Sequence, residues 1–513
     1  MRPAMENALR EPRTESRTAR GCGCESNNGS PGLPNPSDEA SAPSNLMRTE
    51  PVEVRFSASR FRNRRVHFIG IGGSGMSGLA RMLLDSGAAV TGSEPKPNPQ
   101  TFELASRGAR ISRDQVGELL SPDVDLVVRT AAIPETNREY QAAQSLGLHQ
   151  VKYAEMLGQV MQERFGVAVA GTHGKSTTTA MIAYALGQCG ADPSFVVGGT
   201  VPQLGGGSHS GSGKVFVAEA CEFDHSFHSL RPRVAIITNI EEDHLDCYSG
   251  IEEIVASFRT FARLVPSDGL IIANGQDAQV GQAIGGLPTP TEWVAVDREA
   301  TWSTRSAGIV NGCPGGQVLH RGKLVATLRL SVAGEHNLFN ATAAVAACAA
   351  CGVDPAATAE ALGGFAGVDR RMTEVGRYNG ATVVDDYGHH PTEIRATLKA
   401  LRERYQPRRL FCVFQPHQHS RTRFLLNDFA TSFAAADETI VPDIFFVRDS
   451  EAERSRVSAA DLVDRVSRNG QHARHLPRFD AIVDYLRGEV GAGDLVVTMG
   501  AGNVWEIGKE LVG

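Results

Sequence analysis

Between residues 167 and 181 the chain reads VAVAGTHGKSTTTAM. An apolar run ends in a glycine turn, and a lysine followed by hydroxyl residues comes next. A strand that enters such a turn at the start of a helix presents unpaired backbone N–H groups and the positive end of the helix dipole. Gly171, Thr172, His173 and Gly174 make the turn, and its glycines let the backbone come close to an anion. Lys175 adds a point charge for phosphate oxygens. Ser176, with Thr177 beside it, adds a hydroxyl of the kind that ligates Mg²⁺. The combination predicts a polyphosphate site. The strict phosphate-loop pattern needs a glycine where Val169 stands, so a plain glycine-capped helix start is the competing reading.

A magnesium nucleotide needs oxygen ligands from the protein as well, and Mn²⁺ is the alternative ion. KVFVAEACEFDHSF places Glu219 at the end of an apolar strand, with Glu222 just beyond. IITNIEEDHLD ends a second strand in Glu241, Glu242, Asp243 and His244. Any one of these acids reads more often as a solvated loop charge than as a ligand. Two apolar strands that both end in acids beside a phosphate turn favour a metal.

A second glycine motif, GIGGSGMSG, spans residues 70–78. Gly70, Gly72 and Gly75 satisfy G-x-G-x-x-G between a strand and a helix, and Glu94 follows the next strand. Alone, this is a dinucleotide-binding fingerprint and would indicate a nicotinamide-dependent dehydrogenase. Physically it requires only a diphosphate at a helix N-terminus, and a nucleotide diphosphate sugar carries the same group.

These turns need strands and helices to hold them. At 513 residues the chain has room for several cores, and a composition of 41% hydrophobic and 21% charged residues is that of a globular protein. From Val66 onward, apolar strands alternate with helical periodicity, which predicts parallel sheets covered on both faces. The expected fold is α/β in three units after an N-terminal extension over residues 1–60. Residues 61–162 form a Rossmann-like unit. Residues 163–367 form a central ATPase-type unit with a small β insertion in 275–333, and residues 368–513 a second Rossmann-like unit. The extension is rich in Arg, Ser, Pro, Glu and Asn, lacks the apolar core of a secretory signal, and reads as disordered or as a misplaced start with Met47 as the alternative.

The formal charge of −7 argues against bulk binding to nucleic acid or anionic membranes. No apolar run reaches the ~18 residues of a membrane span. Nine scattered cysteines fit a reducing cytosol. The CxxC of Cys348 and Cys351 falls in an alanine-rich helical pattern and reads as buried small side chains rather than a metal site.

The stretches HFIGIGGSGMSGLA, GTHGKSTTTAM, TNIEEDHLDCY, GEHNLFNATAAVA, DDYGHHPTEI and FQPHQHSRTR occur in this order. Together they closely resemble the Mur ligases, over essentially residues 65–505. The resemblance implies a UDP-sugar on the first unit, ATP on the second, and an incoming amino acid received with help from the third. It implies that Gly72, Gly73, Ser74, Gly75 and Glu94 meet the UDP-sugar. It puts Gly171 to Thr177, His336, Asn337, Asn340, Arg371 and Asp386 on ATP, with Ser176, Glu219 and His244 as metal ligands. Lys175, Glu219 and His244 would be the catalytic set, and Tyr387, His389 and Arg421 would border the amino-acid pocket.

The implied reaction is ATP-dependent joining of L-alanine to UDP-N-acetylmuramic acid through an acyl phosphate, in a cytoplasmic monomer or weak homodimer. No unique base for the amine is legible, and His389 is the candidate. Gly363, Gly364 and Gly367 are candidate hinge material. Glu94 stands where aspartate is common in the family, Cys221 where an acid is usual, and Gln418 where arginine is frequent. The rivals are a sister ligase that adds a ready-made peptide and, from another class, the dehydrogenase.

Overall fold

The computed structural model describes residues 59–130 and 132–513. The expected disordered extension and the alternative start at Met47 lie outside the described residues, apart from Ser59 and Arg60. The Arg60 amide donates to Glu163 Oε1 at 2.9 Å.

Runs such as RVHFI, FGVAVA and LVVTM are nearly continuous in apolar residues, the pattern of strands buried on both faces. They build three sheets. The first is parallel throughout, in the spatial order Arg110–Ser112, Ala89–Ser93, Arg65–Ile69, Leu126–Arg129, Gln150–Lys152. Strand order reverses between Arg65–Ile69 and Leu126–Arg129, which leaves a crevice at their carboxyl ends. The GIGGSG turn opens there.

The central sheet has ten strands. At its middle, Phe165–Ala170 lies between Val234–Ile237 and Val215–Glu219, parallel to both. All three strands therefore discharge their loops at one edge: the phosphate turn, the Glu219 loop and the Glu241 loop. The β insertion expected over 275–333 takes the form of an extension of this sheet. Trp302–Val310, Cys313–His320 and Lys323–Arg329 continue the same sheet as an antiparallel meander.

The third sheet runs Thr373–Tyr378, Ala381–Asp386, Leu495–Met499, Leu410–Phe414, Glu438–Val441, Ala473–His475, with only the first pair antiparallel. Separate apolar clusters cover its two faces. One face of the central sheet carries the helices Lys175–Gln188 and His336–Ala350, whose alanines allow close packing. Cys348 is buried within that helix and Cys351 caps it; both are free thiols. The other face shares one apolar cluster with the first sheet, through Met156, Leu157, Phe227 and Phe258.

Candidate functional site

The phosphate turn is shaped by its glycines. Gly171 has φ +142° and Gly174 φ +80°, the latter as the cap of helix Lys175–Gln188. A side chain at Gly174 would also meet Asn340, its Cβ 2.8 Å from Oδ1. Thr238 and Asn239, from the neighbouring strand end, clamp the turn. Thr238 Oγ1 donates to the His173 carbonyl at 2.6 Å, and Asn239 Oδ1 accepts from the His173 amide at 2.8 Å.

Lys175 Nζ donates to the carbonyls of Gly171 (2.6 Å) and Thr172 (3.0 Å) and to Glu222 Oε1 (2.8 Å). Its burial opposes the charge, but Glu222, Cys221 and Glu219 outweigh that and hold the ammonium above the usual lysine range. Glu222 is thus the acid nearest the lysine. Glu219, the acid implied by resemblance, instead accepts from the Gly198 amide at 2.7 Å. His244 has φ +52°, and its Nε2 stands 3.7 Å from Glu222 Oε1. Glu222 Oε2 and His244 Nδ1 are buried without a hydrogen-bond partner. These open acceptors, the Ser176 hydroxyl and the Glu219 carboxylate are of the donor types a divalent cation takes, but among the described residues Glu219, Glu222 and His244 do not converge on one point.

A cavity of about 860 Å³ lies over the turn. Its wall brings together His173, Gly174, Ser176 and Thr177 from the turn, and His336, Asn337 and Asn340 from the alanine-rich helix. Arg371 and Asp386 close it from the third sheet. Asn340 Nδ2 donates to Asn337 Oδ1 at 2.9 Å, so the two asparagines on one helix face act together. Arg371 Nη1 reaches Glu393 Oε1 at 3.2 Å. Asp386 accepts from the Gly388 (2.7 Å) and Met372 (2.9 Å) amides, and burial pushes its carboxyl up to about 6.

The other predicted residues of the third unit form a separate group beside the cavity, around Asp243. Arg421 Nε and Nη2 donate to Asp243 Oδ1 at 3.0 and 2.7 Å, and Arg421 Nη1 reaches His417 Nδ1 at 3.1 Å. Burial opposes the charge on Asp243, yet Arg421, His244 and His389 hold its carboxyl well below the usual range. His389 packs edge-on against Tyr387 and sits 3.9 Å from Asp243 Oδ2. Burial, with Arg421 nearby, pushes the His389 imidazole down to about 3. A group that holds its proton so weakly is a poor base at neutral pH, which counts against His389 as the base for the amine. Gln418, in the arginine position, donates to Asp246 Oδ2 at 3.2 Å.

At the first sheet, Gly72 N donates to Glu94 Oε2 at 3.0 Å, and the Gly70 and Ile71 amides both donate to the Ser93 carbonyl at 3.0 Å. Gly73 and Ser74 are exposed at the start of helix Ser74–Asp85. Ser93 Oγ is hydrogen-bonded to the buried Glu139, which also holds His67 Nε2 at 3.0 Å. Tyr153 lies against the first glycine turn. Its hydroxyl lies 2.6 Å from where a Cβ on Gly75 would stand, and its phenol is raised by burial and by the charge of Glu219.

Tyr153, Thr238, Asn239, Asp243 and Glu393 were not selected from the sequence as site residues. Asp243 was noted only as a strand-end acid. Glu393 sits in the first turn of helix Pro391–Tyr405, where a capping acid is the ordinary reading.

The arrangement is that of a nucleotide-dependent enzyme in which a third α/β unit closes over a phosphate turn. Three family models match in succession: "Mur ligase family, catalytic domain" over residues 65–165, "Mur ligase middle domain" over 169–348, and "Mur ligase, glutamate ligase domain" over 370–502. The chain belongs to the Mur ligase family. It is 43% identical to the UDP-N-acetylmuramate–L-alanine ligase of Caldanaerobacter subterraneus, across 88% of this chain and 97% of that protein. It is also 43% identical to the enzyme of that name from Pelotomaculum thermopropionicum, with 88% and 97% covered. Among solved structures, the UDP-N-acetylmuramate-alanine ligase of Thermotoga maritima superposes with a TM-score of 0.70 at 27% identity, covering 87% of this chain and 98% of that one. A murein peptide ligase from Psychrobacter arcticus gives 0.63 at 28%, with the same coverage.

Proposed function

We propose that the protein joins L-alanine to the carboxylate of UDP-N-acetylmuramic acid, with ATP converted to ADP and phosphate, as a step of peptidoglycan precursor synthesis. The observation that carries this reading is the cavity in which the Lys175 turn is closed by Arg371 and Asp386, with the Asp243–Arg421–His389 group bordering it. Curated relatives named for this activity, 43% identical over most of the chain, support it. The nicotinamide reading of GIGGSG leaves the phosphate turn without a role.

In this reading residues 61–162 hold the UDP-sugar, residues 163–367 ATP, and residues 368–513 close the site and receive the amine. The sugar carboxylate takes the terminal phosphoryl group of ATP to give an acyl phosphate, and the alanine amine then displaces phosphate. Carboxylate and triphosphate repel one another, so the protein's main work is positioning and charge neutralisation. Lys175 and the turn amides serve the phosphates, and Arg371 adds charge from the closing side. Asn337 and Asn340 brace the turn and face the nucleotide. Gly72 to Gly75 receive the diphosphate of the sugar nucleotide, where Glu94 must release the Gly72 amide to meet the ribose. Arg421, Tyr387 and His389 shape the acceptor pocket.

Ser176, Glu219, Glu222 and His244 would hold the divalent metal, with Mg²⁺ as the ion and Mn²⁺ as its substitute. When bound, it supplies further neutralisation and Lewis-acid polarisation of phosphate oxygens. Closure by the third unit excludes water from the acyl phosphate, with Gly363, Gly364 and Gly367 as the hinge. The protein works in the cytoplasm as a monomer or weak homodimer, without nucleic acid or membrane partners. Among the described residues no helix is long and apolar enough to cross a membrane.

The test is phosphate release from ATP with UDP-N-acetylmuramic acid, with and without L-alanine. Release that requires both substrates supports the reading. Release with L-alanyl-γ-D-glutamyl-meso-diaminopimelate but not with L-alanine assigns the chain to the peptide-adding sister reaction.

A further inference from the structure

His173, Glu241 and His390 converge where the phosphate turn meets the third unit. One ligand atom from each, nitrogen or carboxylate oxygen, falls within 4.8 Å of the other two. His173 Nε2 lies 3.5 Å from Glu241 Oε2, and His390 Nδ1 lies 3.6 Å from the same oxygen. Ligands at 2.0–2.1 Å from a tetrahedral zinc are about 3.4 Å apart. The two gaps to Glu241 are close to that, and the two ring nitrogens lie within 4.8 Å of each other.

Each imidazole has its other nitrogen occupied. His173 Nδ1 faces Glu393 Oε1 at 3.4 Å, and His390 Nε2 donates to the Glu242 carbonyl at 3.1 Å. The Glu242 contact leaves His390 Nδ1 as its lone-pair nitrogen, the way metal-bound histidines are oriented by an outer carbonyl. In the metal-free protein, burial opposes the charge on His173, but Glu241 and Glu393 outweigh it and hold its imidazolium up to about 9, so a bound metal takes the place of the Nε2 proton. His173 Nε2 is buried without a hydrogen-bond partner. His390 Nδ1 has only a long contact, 3.3 Å, from the Thr392 amide. The Thr392 hydroxyl donates to Glu241 Oε2 at 2.7 Å and turns that carboxylate toward the histidines.

We infer that His173, Glu241 and His390 form a binding site for a transition metal of the zinc class, which ties the phosphate turn to the third unit in the closed form. The set is distinct from Ser176, Glu219, Glu222 and His244. Two imidazoles and one carboxylate select zinc or cobalt over magnesium. The two units contribute ligands jointly, His173 and Glu241 from the central one and His390 from the third. Bound metal therefore holds the units together and slows the opening that product release requires. This inference goes beyond the proposed ligase reaction, and its test does not depend on turnover.

The full chain is stripped with chelator, supplied with excess Mg²⁺, and titrated with Zn²⁺ against a chromophoric chelator; Co²⁺ serves as the spectroscopic probe. The expected result is one Zn²⁺ per chain that Mg²⁺ does not displace, and tetrahedral Co²⁺ absorption. Glu393→Gln keeps all three ligands and should weaken Zn²⁺ binding by about 10–100-fold, the usual effect of losing an outer partner. His390→Gln and Glu241→Gln each remove a ligand and should weaken it further. Zn²⁺ should raise the unfolding temperature of the unaltered protein but not of His390→Gln. Should His390→Gln fail to fold, judged by unfolding in chelator, the half-exposed Glu241→Gln carries the comparison. Zn²⁺ binding that Mg²⁺ displaces, or that both ligand variants leave unchanged, overturns the inference.

Discussion

Replacing Lys175 with methionine separates the electrostatics of the phosphate turn from its packing. Lys175 is mostly buried and Glu222 almost wholly so, with side-chain exposures of 13% and 4%. In Lys175→Met, the remaining basic side chain beside Glu222 is His244, its Nε2 at 3.7 Å. Breaking a buried pair in this way costs about 3–5 kcal/mol, because one charge is left uncompensated. For a cooperative unit of about 200 residues, each kcal/mol is worth about 2–4 °C, so the melting temperature should fall by roughly 6–20 °C. The double variant Lys175→Met/Glu222→Gln removes both charges and should regain most of the loss, since neutral replacements of a buried pair are often neutral in stability. Both variants should lose at least about 10²–10³-fold in phosphate release. The assays are thermal unfolding of the ligand-free protein and steady-state phosphate release. A single variant as stable as the parent, or a double variant no better than the single, would refute the reasoning.

Gly174→Ala should abolish phosphate release and cost about 1–3 kcal/mol, since its φ is left-handed and the added methyl group meets Asn340; activity assay and thermal melting check this. His389 and His417 are buried neutral imidazoles, pushed down to about 3 and about 4. The unfolded chain therefore binds more protons below pH 6.5, and stability should fall with pH by up to about 2.7 kcal/mol per unit between 6.5 and 4; melting across that range should show a shallower slope in His389→Gln. Glu139→Ala strips His67 and Ser93 of a buried partner and should cost about 1–3 kcal/mol. Because the Ser93 carbonyl holds the Gly70 and Ile71 amides, that variant should also raise KM for the UDP-sugar more than for ATP, a split that steady-state kinetics reads directly.

The parts of the fold that rest on alternation were legible in the sequence. Apolar strands followed by helical periodicity yield parallel sheets, and both glycine turns sit where strand meets helix. Gly174 with Ser176, and Asn337 with Asn340, were legible because each pair lies within one short motif whose geometry is local; that the two motifs line one cavity was not. What the sequence hides is long-range. Glu219 ends its strand and Glu222 follows three residues on, and nothing local says which of them the lysine will meet. Asp243 becomes buried only because Arg421, far along the chain, folds against it. Glu393 carries an ordinary capping position, and its contacts with His173 and Arg371 exist only once the third unit has closed. The meander Trp302–Arg329 was legible as strands, but its attachment to the central sheet depends on a hydrogen-bonding edge that no local pattern announces.

The central claim is that the muramoyl carboxylate is phosphorylated over the Lys175 turn before the amine attacks. It is tested most directly with UDP-N-acetylmuramic acid carrying ¹⁸O in that carboxylate, turned over with ATP and L-alanine, and with the released phosphate examined by mass spectrometry. The account predicts one labelled oxygen in the phosphate and one UDP-N-acetylmuramoyl-L-alanine formed per ADP. Unlabelled phosphate released alongside the amide product would contradict it.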